Sequence, residues 1–331
     1  MAADHKKKLH IIQWEHLNLW KFYPASLASS WSIRFVIYPM IVVNNRLQLQ
    51  KQNNVYRGMG HAFASIVRHE GVTELYRGFC TTLPQLSAAF LYNAVYERSR
   101  HLFKNHLKID DAPTVSALAG GIASPSAQLI YVPFDIIAQH MMFHKQHAKF
   151  SGGKGNTSIA DALAHDGLEG KRPLPWRVAV AVYSVDGMGG FYRGYFSTVS
   201  LYLPFNMIMW STYYHALAAI EKTRKWAEPA VEVDSHRHLL FDQAVAGSIG
   251  GIVGAIATNP LEMIRIRTQM HRTSYKETIR RLIKHEGRRV FYQGLAPRVV
   301  SSALFSTLLM FGYETAKRFS VLPEYRDSIQ W

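Results

Sequence analysis

Three copies of one ordered pattern constrain this 331-residue chain more than any other feature. In the first copy, Tyr38-Pro39 is followed by Arg46, then by Glu70-Gly71 and Tyr76-Arg77-Gly78. In the second, Val132-Pro133-Phe134-Asp135 leads to Asp186-Gly187 and Tyr192-Arg193-Gly194. In the third, Asn259-Pro260-Leu261-Glu262 is followed by Arg265 and Arg267, then by Glu286-Gly287 and Tyr292-Gln293-Gly294. The interval from the acidic-Gly pair to the aromatic-x-Gly turn is the same each time, while the stretch before it is longest in the second copy. One acidic-Gly pair carries no information. Three in the same order, each between apolar runs, define a repeat architecture.

The mean hydropathy, −0.08, is that of a soluble chain. The distribution of charge says otherwise. Residues 78–96, 112–134, 195–220, 243–261 and 299–313 contain no Asp, Glu, Lys or Arg. A membrane-spanning helix needs about 20 mainly apolar residues, and the last run reaches that only with snorkelling ends. The residues within the runs are mild: Ala, Gly, Ser, Thr, Tyr and Gln. Such helices pack on one another around a polar interior. Gly247 with Gly251, Gly250 with Gly254, and Gly120 with Ser124 have the small-residue spacing that lets backbones approach in lipid.

The net charge of +15 and pI of about 9.8 imply anionic partners. The basic residues are scattered at the ends of apolar runs and no nucleic-acid fold signature is present, so the reading is lipid headgroups and no nucleic acid. The single cysteine, Cys80, excludes an internal disulfide framework and a multi-Cys metal site. Residues 1–10 are lysine-rich but no apolar stretch follows, unlike a secretory signal. Asp4 and the lack of an Arg/Ser-rich amphipathic stretch argue against a cleaved transit peptide, so import is expected to use internal signals.

The triplicated pattern resembles the signature of the mitochondrial carrier family, Pro-x-acidic-x-x-basic-x-basic, a loop, then acidic-Gly and aromatic-basic-Gly. The third repeat matches best, the second partly and the first least. The resemblance implies an all-α membrane fold: six transmembrane helices as three pseudo-threefold repeats around a central cavity. The repeats are expected at residues 20–108, at 112–226 with a long matrix loop, and at 238–320. It implies a multi-pass solute transporter of the mitochondrial inner membrane working by alternating access, not an enzyme, with no cofactor, acting as a monomer. Each proline is expected within a helix, kinking it.

In the family, charged residues after each proline close the matrix side as a ring of ion pairs. Carried over, Asp135 pairs with Arg265, Glu262 faces Asn44 through a hydrogen bond only, and Ile41 meets Ala138. A second ring closes the cytoplasmic side: Glu97 and Arg100 after Tyr96, and Glu314 and Lys317 after Tyr313, with Glu314 opposite Arg100. The second repeat has Tyr213-Tyr214-His215 there and lacks the charges. Incomplete gates imply low barriers, or a carrier that need not exchange one substrate for another; strict one-for-one exchange in proteoliposomes would exclude this.

Upstream of each proline, the position that faces the pore in family members holds Arg34, Gln128 and Ala255. Arg34 is the only charge in its apolar segment, and at mid-membrane depth it costs about 3 kcal/mol or more unless it meets water or a counter-charge. It is therefore expected to line the cavity and bind a carboxylate. The substrate positions on the even-numbered helices hold Pro84, Gln85, Leu201, Tyr202 and Ser301, none charged, with Asn93, Asn206 and Trp210 nearby. One cation above a mild floor fits a monocarboxylate with a neutral side, such as a neutral amino acid, and fits a polyanion poorly. Ile12-Gln13-Trp14-Glu15-His16-Leu17, Gln139-His140-Met141-Met142, Leu203-Pro204-Phe205-Asn206 and Asp327-Ser328-Ile329-Gln330-Trp331 resemble the branch of the family that carries branched-chain amino acids. The alternatives are a carrier of another small monocarboxylate, or a carrier-fold membrane adaptor that has lost transport.

Two features are set aside. His140, His144 and His147 share a helix face, a spacing that can hold zinc, but no carboxylate or thiol completes a set, so no metal site is assigned. Residues 145–181, rich in Gly, Lys and Pro, read as a long flexible matrix loop. The turns at Gly78, Gly194 and Gly294 open helices, and the resemblance implies that their free N–H groups bind cardiolipin phosphates.

Overall fold

The computed structural model describes residues 18–50, 55–105, 112–144, 157–165, 171–227 and 236–321. Among them, the long helices are α1 (Leu19–Leu49), α3 (Thr82–Asn105), α4 (Ala112–Phe143), α8 (Tyr195–Ala227), α9 (His236–His271) and α11 (Leu295–Phe319). Between them lie α2 (Met59–His69), α5 (Thr157–Ala164), α6 (Leu174–Asp186), α7 (Met188–Phe191) and α10 (Tyr275–His285), with 3₁₀ turns at Val72–Tyr76, Phe79–Thr81 and Gly287–Phe291. Two helices, over Trp20–Leu49 and Phe241–His271, are long and apolar enough by themselves to cross a membrane.

The prolines do not end their helices. α1 runs through Pro39, α4 through Pro133 and α9 through Pro260, each giving up one backbone bond. The short helices between the long ones end where the repeat places its acidic-Gly pair. Gly71, Gly187 and Gly287 follow α2, α6 and α10 with φ of 94°, 64° and 53°, the left-handed region that stops a helix and that glycine enters without strain.

The chain divides into two compact units. One comprises Met1–Ile37, Ile208–Gly254 and Val299–Trp331. Its centre is the glycine-rich half of α9. Gly247 and Gly251 lie against Ser306 and Ser302 of α11, and Gly250 lies against the backbone of α8, where an added Cβ would fall 2.7 Å from the Met209 carbonyl oxygen. The two glycine rows seen in the sequence thus serve two neighbours. Ser306 Oγ donates to the Gly247 carbonyl at 3.1 Å, and Gly312 of α11 is pressed against Ser29 of α1.

The other unit comprises Tyr38–Met207 and Ala255–Arg298. Among the described residues, its apolar core includes three clusters. Tyr38, Val42, Val43, Leu47, Tyr56 and Ile66 pack with Ala138, Met142 and Ile266. Val132, Ile136 and Met141 pack with Ile159, Leu163, Val178 and Val182. Met263 and Ile264 pack with Leu282 and Val290. Ile41 borders the first cluster, which holds Ala138.

The second cluster corrects the reading of residues 145–181 as a flexible loop. Within that stretch, 157–164 and the start of α6 are helical, and Ile159, Leu163 and Val178 are buried against α4. Ile159 and Leu163 are one helical turn apart, so a short amphipathic segment was hidden between a Gly/Lys-rich and a Pro-rich flank. Arg177 fastens it, donating from Nη2 to the Leu163 carbonyl at 2.9 Å. Residues 145–156 and 166–170 lie outside the described residues.

Candidate functional site

The charged residues that follow the prolines converge in the second unit. Arg265 donates from Nη1 to Asp135 Oδ2 at 2.6 Å and from Nη2 to Glu262 Oε1 at 2.7 Å. The first contact joins α9 to α4, and the second is a contact one turn back along α9. All three side chains are buried, so one guanidinium is shared between two carboxylates in a poorly solvated place, with the charge of Arg298 also acting on Glu262. Gln139 extends the cluster, donating to Asp135 Oδ2 at 2.8 Å and to Gln269 Oε1 at 2.7 Å.

Glu262 does not reach Asn44, contrary to the expected hydrogen bond. Glu262 is engaged by Arg265, and Asn44 Oδ1 accepts instead from Gln48 Nε2 at 3.1 Å. A neutral amide has no advantage over a guanidinium one turn away, so the carboxylate turns to its own helix. Gln48 also reaches Asn259 Oδ1 at 3.3 Å, making the α1–α9 junction a chain of amides.

Around the carboxylate–arginine cluster, three acidic-Gly turns are tied down. Arg46 is 1% exposed and its Nη1 donates to both oxygens of Glu70, at 2.8 and 2.9 Å, and to Tyr56 Oη at 3.3 Å, while Nη2 reaches the Met142 carbonyl of the next repeat at 3.1 Å. Burial pushes the Tyr56 phenol up from its ordinary range, with Arg46 pulling against it. In the third repeat, Arg267 binds Glu286 at 3.1 Å and the carbonyls of Gln48 and Gln50 in the first. In the second repeat, the corresponding place on α4 holds the buried His140. There Asp186 takes Arg193 at 3.1 Å and Arg272 from beyond the end of α9. Among the described residues, Arg272 is the non-glycine residue with positive φ, 56°, so the residue making this cross-repeat contact has a backbone conformation that L residues seldom adopt.

The aromatic-x-Gly glycines close the set in cyclic order. Gly78, Gly194 and Gly294 have φ of 90°, 76° and 73°. A Cβ at Gly78 would lie 3.0 Å from the Ala138 carbonyl, one at Gly194 would lie 2.7 Å from Gln269 Cγ, and one at Gly294 would meet Gln48 and lie 3.0 Å from Asn44 Oδ1. Each turn therefore presses on the first long helix of the next repeat, α4, α9 and α1 in turn, which calls for glycine apart from any lipid contact. Gly294→Ala is expected to cost about 1–3 kcal/mol from backbone strain, with the clash added. Gly121→Ala, where an added Cβ meets nothing within 4 Å, should stabilise by up to about 1 kcal/mol. Thermal unfolding midpoints in detergent compare the two.

The positions expected to meet substrate are placed as follows. In the first unit, Arg34 on α1 and Ser301 on α11 are both partly buried. In the second, Gln128, Pro84, Tyr202 and Asn206 are partly buried, and Gln85 and Leu201 are buried. Leu201, 1% exposed, serves packing in this state. Tyr202 and Tyr131 meet edge to face, centroids 6.1 Å apart, and both lie within electrostatic reach of Arg265. The side chains of Asn93, Glu97, Arg100, Glu314 and Lys317 lie outside the described residues, as does His147. Arg298 and Arg272 were not singled out in the sequence. Arg298 immediately precedes a charge-free run and reads as its boundary, and Arg272 carries no motif, though a basic residue just past a helix end, where glycine is usual, was a signal.

A triplicated helix–turn–helix unit with a buried carboxylate–arginine cluster where the repeats converge is the arrangement of a membrane carrier. The chain matches the mitochondrial carrier protein family over residues 15–107, 110–223 and 237–322. It belongs to the mitochondrial carrier family and has its all-α, three-repeat fold. Solute carrier family 25 member 44 of Mus musculus is 33% identical over 334 residues, covering 99% of this chain and 100% of the relative. The Homo sapiens protein of the same name is 33% identical over 332 residues, with the same coverage. Mitochondrial substrate carrier family protein J of Dictyostelium discoideum is 25% identical over 356 residues, covering 96% of each chain.

Proposed function

We propose that this solute transporter of the carrier family imports neutral amino acids, branched-chain ones among them, across the mitochondrial inner membrane by alternating access. The observation that carries the reading is the character of the substrate positions. Gln85, Leu201, Tyr202 and Ser301 are uncharged, and the Tyr131–Tyr202 pair offers aromatic surface to an aliphatic side chain. A di- or tricarboxylate, or a nucleotide, calls for several cations in those places. The segments that resemble carriers of branched-chain amino acids support the same substrate class.

In this reading, Asp135, Arg265 and Glu262, with Asn44 beside them, form the matrix gate. Glu97, Arg100, Glu314 and Lys317 form the cytoplasmic one, and Arg34 meets the substrate carboxylate. The turns at Gly78, Gly194 and Gly294 receive cardiolipin, and the monomer is the working unit, with repeats at 20–108, 112–226 and 238–320.

The test is uptake of labelled leucine, valine, malate and ATP into liposomes holding the purified chain. Leucine and valine are expected to enter, and Arg34→Ala to reduce their uptake by about tenfold or more, the loss of a charge-assisted hydrogen bond. Uptake of malate or ATP in their place would sink the reading. No uptake of any solute would favour a transport-inactive membrane adaptor.

A further inference from the structure

Arg298 lies on the first turn of α11, beside the carboxylate–arginine cluster and outside every role assigned so far. Its Nη2 donates to Thr258 Oγ1 of α9 at 2.8 Å. Its guanidinium carbon stands 5.8 Å from the centre of the Phe205 ring. Its charge acts on Glu262 and Tyr202, yet it makes no hydrogen bond to Glu262. Its Nη1 is enclosed, with no acceptor among the described residues.

An enclosed guanidinium N–H without an acceptor has lost its water and gained nothing in return. On a cation set against an aromatic face, that edge is shaped for a planar anion. Glu262, the opposite charge, is engaged by Arg265 through one oxygen, Oε1. A positive and a negative group within electrostatic reach, Arg298 bonded to Thr258 and Glu262 to Arg265, present two opposite poles. A free amino acid has the matching pair, an ammonium and a carboxylate on one carbon.

We propose that Arg298 and Glu262 are the two poles of a zwitterion site, Arg298 taking the carboxylate of a neutral amino acid and Glu262 its ammonium. Phe205 and Tyr202 supply the apolar wall for the side chain. The proposal rests on the neutral-amino-acid reading and deepens it.

Initial rates of leucine uptake into liposomes test it, using the wild type, Arg298→Gln and Arg298→Lys. Two leucine fragments serve as competitors: 4-methylpentanoate, which lacks the ammonium, and 3-methylbutylamine, which lacks the carboxylate. Arg298→Gln is expected to raise the leucine KM about tenfold to a hundredfold, the loss of one charge-assisted contact, with kcat little changed. The same variant should lose inhibition by 4-methylpentanoate and keep inhibition by 3-methylbutylamine. Arg298→Lys should fall between, keeping charge without the planar fork, and stands in if Arg298→Gln does not fold.

An unchanged KM with both competitors still active overturns the proposal. So does recovery of wild-type uptake in Asn44→Lys/Arg298→Gln, which would make Arg298 a gate cation replacing the one missing at position 44. If the wild type takes up no neutral amino acid, the substrate reading fails on its own. Arg298 is then judged by the thermal shift that 4-methylpentanoate gives the purified chain: a shift lost in Arg298→Gln upholds carboxylate binding, and no shift in the wild type overturns it.

Discussion

Arg265→Ala is expected to destabilise the protein by about 3–5 kcal/mol, the cost of breaking a buried ion pair from one side. The substitution removes the one guanidinium bonded to both Asp135 and Glu262. Both carboxylates are buried, each 7% exposed, so water cannot replace the lost cation. Gln139 and Gln269 still donate to Asp135 Oδ2, at 2.8 and 3.5 Å, but neutral amides do not balance two negative charges. Asp135→Asn should cost less, because Arg265 keeps Glu262. The triple variant Asp135→Asn/Glu262→Gln/Arg265→Met should recover much of the loss, since a neutral, well-packed replacement of a buried ion cluster is often tolerated. Thermal unfolding in detergent orders the three. If Arg265→Ala melts with the wild type, the cluster has no hold on this state. Transport separates the roles further: under the proposed matrix gate, the triple variant should stay folded yet leak small anions from loaded liposomes.

How much of this was legible in the sequence depends on whether a contact belongs to the repeat. The helix continuing through Pro39, Pro133 and Pro260 followed from three prolines in register, where any one alone reads as a helix end. The Asp135–Arg265 contact joins residues far apart in the chain, and only the threefold register brought them together on paper. What the register could not reveal were the places where the chain departs from it. Asn44 stands where a basic residue is usual, and the register says who should face Glu262 but not that Glu262 would turn to its own helix. Residues 157–164 are an insertion peculiar to the second repeat, with no counterpart to compare. Arg298 and Arg272 sit one step outside the motifs, and their partners Thr258 and Asp186 come from other elements. Local sequence has no term for such contacts.

These departures make the three matrix turns unequal, and that inequality can be measured. Arg46→Ala is expected to cost about 3–5 kcal/mol. It strips a side chain that is 1% exposed of two bonds to Glu70, one to Tyr56 and one to the Met142 carbonyl. Glu70, at 11% side-chain exposure, is left charged with little water, and the Met142 carbonyl loses a donor from across a repeat boundary. Arg46→Lys should restore part of the loss, because an ammonium keeps the charge but cannot span both Glu70 oxygens and the carbonyl together. The second repeat should respond more weakly. Its Asp186 is held by Arg193 and Arg272, whose side chains are 27% and 23% exposed, and partly solvated arginines recover water when their partner goes. Asp186→Asn is therefore expected to cost about 1 kcal/mol, well below Arg46→Ala. If the two variants melt together, the second turn is as firmly held as the first, and the substitution of His140 for a chain-internal arginine has been fully compensated by Arg272. If Asp186→Asn is the milder, the second repeat's turn is held more loosely than the first's.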